Sequence, residues 1–152
     1  MADSVIFLRE LGINSKQELE SHIEKSADYR QNLMNQIQII ESEIEQLSTA
    51  MENVETIRKY REHYKYYKEN PDDFNFSKEY SAELKLYTVA SKSIMNSFIT
   101  VPKSKDILAE LDTLTDKKNT LMKEYSKTND LLFKFVQYKK NHNIYFSNQI
   151  ER

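Results

Sequence analysis

The chain has 152 residues with one Gly, two Pro, no Cys and no Trp, and a net charge of −2. All-β folds place Gly and Pro in many tight turns, so this composition excludes a sandwich or barrel. A lone glycine cannot build a phosphate-cradling loop, and the lack of cysteine excludes disulfides, thiolate metal sites and cysteine nucleophiles.

With 39% apolar and 30% charged residues, the composition predicts long, solvated helices. No apolar run approaches the roughly 20 residues needed to span a bilayer. Met1–Glu10 lacks the basic and apolar segments of a secretory signal. The expectation is a cytoplasmic chain without membrane contact.

The first element is a short apolar leader over residues 4–11, with Val5, Ile6, Leu8 and Leu11, stopped by Gly12. Ser15 and Glu18 then stand at capping-box spacing, which predicts a helix start. From Lys16 neither Gly nor Pro occurs until Pro71, so a first long helix is expected over 16–69. Its apolar seam alternates steps of three and four: Leu19, Ile23, Leu33, Ile37, Ile40, Ile44, Leu47, Met51 and Val54, with polar Ser26 and Arg30 in the series. After Val54 the phase slips and continues as Ile57, Tyr60, Tyr64 and Tyr67, a step that overwinds a paired helix locally.

Asn70-Pro71-Asp72-Asp73 breaks that helix. A shorter one is expected over 77–97, with Tyr80, Leu84, Tyr87, Ala90 and Ile94 on one face. Pro102 then opens the third main helix, over 103–141, in whose first turn a proline is tolerated. Its seam is Ile107, Leu111, Leu114, Lys118, Leu121, Tyr125, Thr128, Leu132 and Phe135, and Leu108, Met122, Phe133 and Val136 are expected to widen it.

The resulting expectation is a single all-α domain: a long antiparallel coiled-coil helical hairpin with a short helix at the tip and the leader at the open end. Charge favours antiparallel pairing within one chain. Residues 1–76 carry 9 basic and 15 acidic side chains, against 13 basic and 9 acidic over 77–152. A homodimer of parallel long helices is the competing arrangement.

The clearest local anomaly is aromatic. Residues 60–87 hold eight of the chain's 17 Tyr and Phe residues, preceded and interleaved by cations. The candidate partner or nucleic-acid surface is Arg58, Tyr60, Arg61, Tyr64, Lys65 and Tyr67. Rings among cations can stack on bases and hold phosphates, while the plainer reading is a small core at the tip, since Tyr packs its ring and keeps its hydroxyl wet. His22, His63 and His142 stand too far apart for metal-ligand spacing, and no serine has the setting of a nucleophile. Glu41, Glu43 and Glu45 read as a solvated face. No catalytic, cofactor-binding or metal-binding residue is assigned, and the chain is expected not to be an enzyme. Near the C-terminus, Phe133, Phe135, Tyr138, Tyr145 and Phe146 mix with Lys134, Lys139, Lys140 and His142. They are expected to cap the open end against Ile6, Phe7 and Leu8, or to form a docking surface.

The order of these features resembles the C-terminal helical region of MobA/MobL-type relaxases, the mobilization proteins of Gram-positive conjugative elements. The residues are Val5-Ile6-Phe7-Leu8-Arg9-Glu10-Leu11-Gly12-Ile13 and Lys16-Gln17-Glu18-Leu19; Tyr60, Tyr64 and Tyr67-Lys68; Glu83-Leu84-Lys85-Leu86-Tyr87 and Ala90; Val101-Pro102, Lys105, Ala109-Glu110-Leu111, Lys118, Glu124-Tyr125 and Leu131-Leu132. Relaxases nick DNA with a tyrosine and a metal-bound histidine cluster in an N-terminal domain that has no counterpart here, so no catalytic residue carries over. The resemblance implies a non-catalytic module that docks or scaffolds within the relaxosome, with protein partners from the DNA-transfer machinery. The alternatives are auxiliary nucleic-acid binding through the basic-aromatic tip, or a small stand-alone regulator that binds a larger protein.

Overall fold

Gly12, the chain's lone glycine, closes the first helix. A computed structural model describes the backbone of residues 2–150 and the side chains of residues 6–141. In it α1 (Ala2–Glu10) ends with Gly12 at φ +74°, a left-handed conformation that costs other residues steric strain. The Gly12 N–H donates to the Arg9 carbonyl at 3.0 Å and the Ile13 N–H to the Leu8 carbonyl at 2.8 Å. These two bonds make a Schellman stop, and its usual apolar contact is present because Leu8 and Ile13 share one buried cluster.

Helix α2 (Lys16–Glu69, 54 residues) starts behind Ser15, whose Oγ accepts the Glu18 N–H at 3.1 Å. The reciprocal bond differs from the expected capping box. The Glu18 carboxylate accepts from the N–H of Asn14 at 2.6 Å, one residue before Ser15. The sequence predicts a single helix over 77–97, but the chain forms two, α3 (Phe74–Glu79) and α4 (Ser81–Ser97), joined at Tyr80. The physical reason lies in Asp73, which caps a new turn four residues before the expected start. Its Oδ1 accepts the Phe76 N–H at 3.1 Å. Helix α5 (Ser104–Ile150) is longer than expected, and Pro102 lies just before it rather than in its first turn. The elements follow in the order α1 to α5, with no strand among the described residues.

The chain divides into two compact units: Met1–Ile39 with Lys118–Arg152, and Ile40–Lys117. Helices α2 and α5 therefore contribute residues to both.

In the first unit Leu8, Ile13, Leu19 and Phe135 form the buried cluster, with Phe7, Ile23, Leu131 and Tyr138 packed against it. The Phe7 and Tyr138 rings meet edge-on at 5.6 Å between centroids. Of the expected end-capping residues, Phe7 and Leu8 are thus inside, but Ile6 is exposed and Phe133 is 70% exposed. Tyr145, Phe146 and His142 lie outside the described side chains. Polar contacts cross this unit as well. Lys139 pairs with Glu20 at 3.3 Å, the Tyr29 hydroxyl donates to Glu124 at 3.4 Å, and Arg30 Nη1 donates to Asn129 at 2.9 Å.

In the second unit the core is Ala50, Val54 and Ile57 of α2, Ala90 and Ile94 of α4, and Ile107 of α5. The two alanines bring helix backbones close enough for Ile57 and Ile94 to be almost fully enclosed.

Along α2 and α5 every expected seam position is buried or half-buried, including polar Arg30 and Lys118. The four residues expected to widen the α5 seam are a correction. Leu108, Met122, Phe133 and Val136 all remain exposed. Each directly follows a seam residue, and one helical step of about 100° carries it off the packed stripe.

Candidate functional site

Tyr60, Tyr64 and Tyr67 turn toward the packing along α2, at positions fixed by the phase slip after Val54, whereas Tyr66 and Phe74 are exposed. The Tyr64 ring stacks on Tyr87 of α4, 4.3 Å between centroids and 19° from parallel. His63 lies 4.7 Å from Tyr80 and 6.0 Å from Tyr60, and its ring stacks on Phe76 at 6.3 Å. Tyr67 is half-buried, 6.2 Å from Tyr64. These rings form the packing between α2 and the α3–α4 pair.

Among the described residues two buried side-chain atoms lack a hydrogen-bond partner, Nδ1 of His63 in this packing and Oε2 of Glu83 on α4. Such orphans are uncommon because burial strips their water.

Asp73 ties the turn together. Besides capping α3, its Oδ2 accepts the Tyr66 hydroxyl at 2.6 Å. The Tyr66 bond first, and the Phe76 N–H second, hold the Asp73 carboxyl below its ordinary pKa. The same bond, with partial desolvation and the carboxylate's charge behind it, raises the Tyr66 phenol.

The cations of the candidate surface point the other way. Arg58, Arg61 and Lys65 are exposed, recur at steps of three and four, and so share one outer face of α2. None of them pairs with a carboxylate among the described residues. Lys59 and Lys68 instead lie over the rings of Tyr60 and Tyr64, at 5.2 and 5.5 Å. The structure thus separates the six residues. Tyr60, Tyr64 and Tyr67 are half-buried in packing, and Arg58, Arg61 and Lys65 form an outer basic stripe.

A groove in the same unit was not legible as a site. It encloses about 480 Å³ between α2, α4 and α5. Leu47, Ala50, Ile94 and Phe98 form its apolar lining, and Glu43, Glu45 and Glu110 stand among its exposed lining residues. The Asn53 amide donates to Ser93 Oγ at 3.0 Å beside it. The one available signal was the run from Gln31 to Ile57, which has five Glu and no Lys, Arg or His.

Among the described residues, no group of three or more His, Asp or Glu side chains could hold a metal ion, and no helix is long and apolar enough to cross a membrane. No protein-family model, no curated protein and no solved structure matches the chain.

Proposed function

We propose that the chain is a non-catalytic helical interaction module that docks or scaffolds in the relaxosome of a conjugative DNA-transfer system. On this reading α2 and α5 are the arms of an antiparallel coiled coil. The observation that carries it is the burial pattern. Seam residues of both long helices turn inward at three-and-four spacing, which leaves long charged faces at fixed positions. The antiparallel sense is supported by the order of contacts in the first unit. Glu20 meets Lys139, while Tyr29, further along α2, meets Glu124, earlier along α5. The transfer setting rests on the resemblance over residues 5–141.

Auxiliary DNA binding is the second reading, favoured by the unpaired stripe of Arg58, Arg61 and Lys65. Because Tyr64 already stacks on Tyr87, DNA would be held through phosphates more than through base stacking.

One experiment separates the two. The tagged full chain is expressed in a cell undergoing plasmid transfer, and the nicking relaxase is sought in the recovered complex with and without nuclease. Relaxase recovered equally after nuclease treatment supports direct docking. Recovery lost with nuclease, and also lost in Arg58→Glu/Arg61→Glu, supports DNA binding. No relaxase under either condition overturns the transfer setting.

A further inference from the structure

The groove combines features that specify a partner's chemistry. Its volume of about 480 Å³ is in the range of pockets that enclose apolar groups. Ala50 and Ile94 give it a buried apolar floor. Glu43, Glu45 and Glu110 are exposed along it without an ion pair to any described residue, and no Lys, Arg or His lines it. The surrounding length of α2 has only acidic charges from Gln31 to Ile57, so the α2 side of the groove is negative, while Lys85 and Lys92 stand on α4 outside its lining.

The apolar track continues beyond the groove. Leu86 and Val89 are exposed on α4 and stand seven and four residues before Ser93, on the same helix face. A ligand lying along α4 would therefore meet apolar surface at successive helical turns, with carboxylates at one end.

We propose that this groove docks a basic amphipathic helix of a partner protein. The partner's large apolar side chains, spaced three and four apart, would lie along Val89 and fill the groove over Ala50 and Ile94. Its flanking Lys or Arg residues would meet Glu43, Glu45 and Glu110. Phosphate-rich ligands are repelled by the same carboxylates. The assignment rests on reading the chain as an interaction module, but not on the DNA-transfer setting.

The test is fluorescence anisotropy of the full chain with a labelled amphipathic Leu/Lys peptide of about 18 residues, or five helical turns. A scrambled peptide of the same composition and a Leu/Glu peptide of the same pattern are the comparators. The Leu/Lys helix is expected to bind at least about tenfold more tightly than either. Glu43→Gln/Glu45→Gln/Glu110→Gln should weaken it about tenfold. Ser97→Trp, which fills the groove from an exposed position, should weaken it similarly. The equally neutralised control Glu10→Gln/Glu24→Gln/Asp28→Asn, in the first unit, should bind like wild type, with circular dichroism verifying that all variants remain helical.

Equal binding by the groove triple and wild type overturns the proposal, as does an equal loss in the control triple. Dimers in light scattering that the groove substitutions dissolve would assign the groove to a second copy and also overturn it. Peptide binding lost by the groove variants, alongside failed relaxase capture, would leave the groove standing and remove only the transfer setting.

Discussion

In the first unit several polar side chains beside the packed seam are matched. Arg30 donates to Asn129, Tyr29 to Glu124, and the buried Thr128 hydroxyl satisfies itself on the Glu124 carbonyl of its own helix. In the second unit the packing is denser in rings and small residues, and it strands His63 Nδ1 and Glu83 Oε2. Matched polar pairs favour one alignment of two helices over its neighbours, because a slipped alignment leaves them unpaired. Rings and alanines gain from close contact but discriminate less by partner. The first unit therefore encodes register, and the second combines a tight core with the molecule's groove and its basic stripe.

The largest test of that contrast removes from each core one large, almost fully enclosed side chain. Phe135→Ala should cost about 3–5 kcal/mol and Ile57→Ala about 2–5 kcal/mol. Hydrogen exchange followed by mass spectrometry would read the two units separately. Phe135→Ala is expected to accelerate exchange mostly over residues 16–39, and Ile57→Ala mostly over 40–69 and 81–97. Equal acceleration in both regions would break the contrast, because the units would then open as one block.

A smaller pair of substitutions has opposite expected signs. His63→Phe replaces a ring bearing an orphan nitrogen with an apolar ring among Tyr60, Phe76 and Tyr80, and should stabilise by about 1 kcal/mol. Asn129→Leu removes the acceptor of Arg30 and should destabilise by about 0.5–1 kcal/mol. Chemical denaturation reads both. Two effects of the same sign would mean that polar matching does not distinguish the units.

Helix positions were largely legible in the sequence because long seams leave a strong period, as Leu19 to Val54 and Ile107 to Phe135 illustrate. The phase slip at Ile57 was legible for the same reason. Ala50 was not, since an alanine beside the seam is buried only because Ala90 and Ile94 of α4 approach it. The α3 break was missed because Asp73 reads as part of a proline turn, and its role as a cap depends on where Phe76 and Tyr66 fall in space. Glu43 and Glu45 looked like ordinary solvated charge. Only the return of α4 and α5 beside α2 gives them an apolar floor to border. Local pattern thus located the helices, while the groove required knowing which helices meet.

The finest contrast concerns Asp73, whose two bonds tie the turn between α2 and α3 beside the Tyr66–Phe76 ring contact. Its carboxyl is depressed in the fold, so the stabilisation is fully present above the ordinary carboxylate value of 3.8 and is lost as pH falls through the lower folded value. The raised Tyr66 phenol has the opposite sense, with its contribution present below the ordinary tyrosine value of 10.0 and lost as pH rises through the folded one. An NMR titration should show the Asp73 carboxyl titrating below the ordinary aspartate value of 3.8. Tyr66→Phe should move it back up while leaving the Phe76 amide bonded, because the cap uses the other carboxylate oxygen. Acidification should then expose the Phe76 amide to exchange before it disturbs the Ala50–Ile94 core, which contains no titrating group. An Asp73 carboxyl with an ordinary pKa in the wild type, or one unmoved by Tyr66→Phe, would show that the turn is held by something other than this bond.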